Sequence, residues 1–163
     1  MRGHQYPPCS AQLKQLRERR ALSSQDLAAR IGLPEPWLRD LEAYDEEMYC
    51  NISLVHLQRL ALLLGVSVAQ LLLVDPSQAS GERVTFNTIV DRLRAVLAAR
   101  GESPEVFGAR IGWEVDRVLE QPADRWEWCP EELEDIAAGL GINWVSALPE
   151  PLDSPPRETE AGA

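Results

Sequence analysis

Histidine is nearly absent from this chain and cysteine is sparse. His4 and His56 are the two histidines in 163 residues, and neither stands in a recognisable motif. Cys9, Cys50 and Cys129 are odd in number and far apart. They show no CxxC or Cys/His spacing, which argues against a zinc site and for ordinary reduced thiols. A glycine-rich phosphate loop is missing too, since Gly108, Gly112, Gly139 and Gly141 fall inside helices or at helix ends. With no nucleophile, base or metal-ligand constellation, no catalysis, cofactor or metal is expected. No apolar run approaches the roughly 18 residues that cross a bilayer; the longest starts at Leu60 and stops at Gly65. The opening MRGHQYPPCS has no apolar leader region. A cytoplasmic protein with no membrane partner is expected.

Positive charge is the next scarcity. The formal net charge is -10, and it is unevenly spread. Residues 1–80 hold 8 Lys and Arg against 9 Asp and Glu, whereas residues 81–163 hold 8 against 17. Proteins that bind nucleic acid take most of their non-specific affinity from Lys and Arg that neutralise phosphates. The second half is poorly suited to that, while the first half clusters Lys14, Arg17, Arg19 and Arg20. The acid runs of the second half, such as Glu131, Glu132, Glu134 and Asp135, read as a solvated helix start that complements the macrodipole.

Helical periodicity and cap chemistry organise the chain. Residues 1–9, with Pro7 and Pro8, read as an arm. Ser10 is placed to cap a helix over residues 11–20 with Leu13 and Leu16 as its apolar stripe. Ser23 is a good N-cap, with Asp26 positioned to complete a capping box. Leu27, Ala28 and Ile31 form one apolar face, and Gly32 stands where that helix must stop. Leu33 and Pro34 turn the chain into another helix that tolerates Pro36 in its first turn. There Leu38 and Leu41 face inward, leaving Glu35, Trp37, Arg39 and Asp40 outward. Residues 43–52 read as an acidic loop. Ser53 then caps a helix whose Leu54, Leu57, Leu60, Ala61 and Leu64 follow the 3.6 period, and Ser67 with Gln70 forms a capping box for a short helix that follows.

In these residues the chain resembles the helix-turn-helix of the phage-repressor (Cro/Xre-type) family. The matching set is Leu22-Ser23, Leu27-Ala28, Ile31-Gly32-Leu33, Leu38 and Glu42. It extends to Leu13, Leu16 and Arg17 before and to Leu57, Leu60, Ala61, Leu64, Gly65, Val66, Val68 and Leu71 after, roughly residues 11–73. The resemblance implies an all-α fold with a five-helix domain whose third helix can enter a DNA major groove.

Past a Pro/Ser/Gly-rich linker the pattern returns. At an offset of 80, Leu13 matches Leu93, Leu16 matches Val96, Leu27 matches Phe107, and Arg30-Ile31-Gly32 matches Arg110-Ile111-Gly112. Ser103-Pro104 is a helix start matching Ser23. At an offset of 76, Leu57 matches Leu133, Leu60 matches Ile136, and Leu64-Gly65-Val66 matches Leu140-Gly141-Ile142. The expected organisation is a helix-turn-helix domain over 10–74, a linker over 75–83, a degenerate second copy over 84–148, and an acidic, proline-rich tail over 149–163 that buries too little surface to order.

The resemblance also implies site residues. Ser24 and Gln25, with Arg17 and Arg20, would meet DNA phosphates; Glu35, Trp37, Arg39 and Asp40 would face bases. In the second copy the helix starting at Glu114 presents Glu114, Asp116, Arg117 and Glu120, which suits DNA poorly. Its aromatics Trp113, Trp126 and Trp128 are the candidates for protein contact, whereas Trp144 reads as packing. A transcriptional regulator that binds double-stranded DNA through its first copy, and dimerises or meets a partner through its second, is the leading expectation. The alternative is a protein-interaction module (antitoxin-like, immunity or adaptor) that kept the fold without binding DNA.

Overall fold

A computed structural model describes residues 5–79, 83–112, 115, 119–120 and 127–149. Among these residues the fold is all-α, with no strand. None of the described helices is long and apolar enough to cross a membrane.

The first three helices are α1 (Cys9–Arg19), α2 (Ser24–Ile31) and α3 (Glu35–Ala43). Ser23 starts α2 as its side chain accepts from the Asp26 amide at 3.0 Å. This is the first of the two bonds of a capping box; among the described residues the reciprocal pair is complete at Ser67 and Gln70. Gly32 ends α2 at φ +79 and ψ +30, a left-handed conformation that costs a residue with a Cβ about 1 kcal/mol or more. That tight stop lets α3 begin after three residues, Gly32, Leu33 and Pro34, and Leu27, Ile31, Leu38 and Leu41 are buried without exposure.

Two expectations for this region are corrected. Residues 43–52 are not a loop, because Asp45–Cys50 is a helix, α4. Asp45, Glu46 and Glu47 fill its first turn, where carboxylates complement the helix dipole, and Met48 and Tyr49 are buried beneath. Nor does Ser10 cap α1. The helix begins at Cys9, and Ser10 donates its amide (3.0 Å) and hydroxyl (2.6 Å) to the Asp45 carboxylate. A side chain from α4 thus satisfies an orphan donor at the start of α1.

The first half is completed by α5 (Leu54–Leu64) and α6 (Val68–Leu71). Ser53 caps α5 and Gly65 stops it. Tyr49 ties α4 to the end of α6 by donating to the Leu72 carbonyl at 2.7 Å. A single 3-10 turn, Pro76–Gln78, follows within the linker.

The second half holds α7 (Phe86–Arg100), α8 (Pro104–Ile111), α9 (Pro130–Leu140) and a 3-10 turn at Trp144–Ala147. The bounds of α8 are those of α2 plus 80, and those of α9 are those of α5 plus 76. The flanking caps correspond as well: Ser23 and Ser103 each accept from the amide three residues on, and Gly32 and Gly112 are left-handed at φ +79 and +77. Helices α8 and α9 approach closely at Gly139, where an added Cβ would lie 2.9 Å from Ile111 Cγ2 and 3.0 Å from Phe107 Cζ.

The halves share one hydrophobic core. The backbone of Leu54, at the start of α5, donates to the Trp128 carbonyl at 2.8 Å. The Trp128 ring packs on Phe86 with centroids 5.0 Å apart. Cys50 at the end of α4 donates to Glu131 in the first turn of α9 at 2.6 Å, and Asn143 donates to the Gln78 carbonyl at 2.7 Å.

Candidate nucleic-acid interface

The N-terminal ends of α2 and α3 lie side by side, and the turn between them brings Ser24 to Glu35. The Ser24 hydroxyl donates to Glu35 Oε1 at 3.1 Å. The same oxygen accepts from Arg39 Nη2 at 2.7 Å, one helical turn further along α3. Gln25 is exposed beside Ser24. The Arg39 side chain is 68% exposed and Trp37 is 39% exposed. Pro36 and Asp40 complete the open side of α3. Ser24, Glu35 and Arg39 are thus joined, and Gln25, Trp37 and Asp40 are exposed on the same two helices.

Of the two arginines expected at phosphates, Arg17 is enclosed in the fold and Arg20 is exposed. Arg17 reaches from α1 into α3, where Nε and Nη2 meet the Glu42 carboxylate at 2.5 and 3.1 Å. Its remaining nitrogen Nη1 donates to the Leu22 carbonyl at 2.8 Å. With side chains only 13% and 8% exposed, this pair is closed to a DNA strand. Arg20 stays exposed but donates to the Leu64 carbonyl at 3.2 Å. It lies across Gly65, at the C-terminal end of α5, where a cation meets free carbonyls and the negative pole of the helix. Lys14 and Arg19 on α1 and Arg30 on α2 are exposed.

In the second half, Trp128 is corrected from a partner contact to a core residue. It is 2% exposed, with its ring on Phe86 and its carbonyl bonded to the Leu54 amide of the first half. Trp113 and Trp126 lie outside the described residues, as do Glu114, Asp116, Arg117 and the tail from residue 150. Trp144 packs, half-buried, against the core. Arg110 stands where Arg30 stands in the first half, but its guanidinium is held by Glu102 through bonds of 3.0 and 2.9 Å and lies 5.1 Å from the centre of the Phe107 ring.

The cysteines are free thiols. Burial pushes Cys9 and Cys129 up to about 12, and burial with the Glu131 carboxylate pushes Cys50 up to about 11. All three are protonated at neutral pH, which suppresses nucleophilic and metal-binding chemistry. Among the described residues no cluster of three or more His, Cys, Asp or Glu is arranged to hold a metal ion.

A capped helix, a glycine stop and, after a short turn, an open second helix describe a helix-turn-helix, and comparison with family models agrees. Residues 12–77 match the Cro/C1-type HTH DNA-binding domain. The match runs from the first turn of α1 through the 3-10 turn of the linker, and α7 to α9 lie beyond it. Comparison with curated proteins and with solved structures gave no match. The Cro/C1-type domain supports a DNA-binding regulator in general terms.

The link from Ser24 to Glu35 was missed in the sequence. Eleven residues separate the two, and only the packing of α2 against α3 joins them. A pairing of Glu35 with Arg39, four apart in one helix, was the signal available.

Proposed function

We propose that this chain is a transcriptional regulator of the phage-repressor type, with α3 entering the major groove of double-stranded DNA and α2 lying across the backbone. The observation that carries this reading is the open end formed by Ser24, Gln25, Trp37 and Arg39. The described residues of the second half meet the first through α4 and the start of α5, and Trp37 and Arg39 are exposed. Ser24 and Gln25 supply the phosphate contacts, because helix N-terminal amides have no intrahelical acceptor. Arg39 is the guanine reader, Asp40 is an acceptor for cytosine, and Trp37 is an apolar contact.

Residues 84–148 are read as a degenerate second copy of the domain, serving dimerisation or partner contact. The constant separations of 80 and 76 between helix bounds support the duplication. The Glu102–Arg110 pair supports the loss of DNA binding, since the cation is neutralised within the fold.

One observation favours the alternative of a protein-interaction module. Trp37 on α3 is 39% exposed, and Tyr44, the extended residue between α3 and α4, is 57% exposed. Exposed aromatics are frequent anchors of protein interfaces.

The two readings separate in an NMR titration of the full chain with a short duplex. DNA recognition requires shifts at the Ser24 and Gln25 amides and the Trp37 indole. Shifts confined to Lys and Arg outside α2 and α3 would place any DNA contact elsewhere and favour the protein-interaction module.

A further inference from the structure

The end of α2 that suits a phosphate already faces a negative charge from within the chain. Helix α2 spans eight residues and carries Ser24 at its first position. Its first amides are orphan donors at the positive pole of the helix. Beside them, one carboxylate oxygen, Glu35 Oε1, accepts both from Ser24 Oγ at 3.1 Å and from Arg39 Nη2 at 2.7 Å. Ser24 would hold a phosphate and Arg39 would read a base, so a single side chain satisfies two of the donors that DNA would use. Glu35 is tethered only by these two bonds among the described residues, and its side chain is 30% exposed, with solvent on one side.

We infer that Glu35 is an intramolecular stand-in for a backbone phosphate, a brake on DNA affinity that must leave Ser24 and release Arg39 before α2 seats a strand. The inference rests on DNA recognition by α2 and α3. A phosphate brought to Ser24 meets the Glu35 carboxylate at close range, and like charges there repel. If Glu35 swings into solvent, the repulsion falls, Ser24 is open and Arg39 is free to turn to the groove. The opposite role, in which Glu35 accepts from a cytosine amino group, makes the carboxylate favourable for binding.

The two roles give opposite signs for Glu35→Gln, which removes the charge and keeps the size and an acceptor for Ser24. The experiment is fluorescence anisotropy on the full chain, with random-sequence duplex as probe at several salt concentrations, for wild type, Glu35→Gln, Arg39→Ala and the double variant. If Glu35 is a brake, Glu35→Gln binds about tenfold tighter at about 50 mM salt, and its log affinity falls roughly 0.9 more steeply per decade of salt. Arg39→Ala then weakens binding more in the Glu35→Gln background than in wild type, because only there is the guanidinium unpaired. Wild type that binds with Glu35→Gln no tighter overturns the brake and leaves DNA recognition standing. Binding by Glu35→Gln alone supports the brake and removes the regulator reading for the native chain. Failure of every variant to bind overturns both.

Discussion

Arg17 on α1 grips Glu42 on α3 through two parallel bonds and uses its third nitrogen on the Leu22 carbonyl. The pair fixes how α1 crosses the helix-turn-helix and is nearly closed to solvent. Removing one partner leaves a buried charge without its counter-ion, which costs about 3–5 kcal/mol. Arg17→Ala and Glu42→Ala should each lower stability by that order in urea unfolding. Lys14→Ala, on the exposed side of the same helix, should stay within about 0.5 kcal/mol. Replacing both partners by apolar residues of similar size should cost less than either single change.

Trp128 joins the halves, so the chain is expected to unfold as one unit. Trp128→Ala removes a large side chain from a closed site, a loss of about 3–5 kcal/mol. Urea transitions followed by far-UV circular dichroism and by tryptophan fluorescence should coincide in the native chain. Two separated transitions would mean that the halves are independent domains.

His56 gives stability a dependence on acidity. It sits half-buried in the first turn of α5, with Nδ1 2.7 Å from the Ser53 hydroxyl that caps the helix. Burial, with a smaller effect from the Arg59 charge, lowers its pKa below the ordinary value of 6.5. A depressed folded-state pKa means that the unfolded chain binds the proton more readily once pH falls below about 6.5. Stability is therefore constant in this respect above that pH and declines as pH falls through the folded-state pKa. His56→Asn should flatten that part of a stability–pH profile measured between about pH 7 and 5; an unchanged slope would assign the decline to other groups.

Starts and stops of helices were legible because cap chemistry is local. Ser23, Ser53, Ser67 and Ser103 start helices, and Gly32, Gly65, Gly112 and Gly141 stop them, as their neighbours along the chain dictate. Most departures involve partners distant in sequence. Asp45, 35 residues on, meets the start of α1 in place of the expected serine. Glu42 claims an arginine that, on an isolated helix, reads as a phosphate contact. The acidic stretch over residues 43–52 hid a helix because its two buried residues, Met48 and Tyr49, are too few to show a period. An aromatic such as Trp128 carries no local sign of exposure, and only the fold puts it inside. The candidate site was legible as positions and not as a network, because the link from Ser24 to Glu35 crosses a turn.

DNA recognition by α2 and α3 is tested most directly by a fluorescence-anisotropy titration of the full chain against random-sequence duplexes and duplexes from upstream regions at about 50 mM salt, where electrostatic binding is strongest. The expected result is saturable binding that weakens with a modest salt slope, roughly 0.9 per phosphate neutralised, since the first 80 residues carry only 8 Lys and Arg and several of them, Arg17, Arg20 and Arg59, make hydrogen bonds within the fold. No binding tighter than about 0.1 mM, the weak end of non-specific association, would contradict the regulator reading and leave the exposed Trp37 and Tyr44 as the anchors of a protein interface.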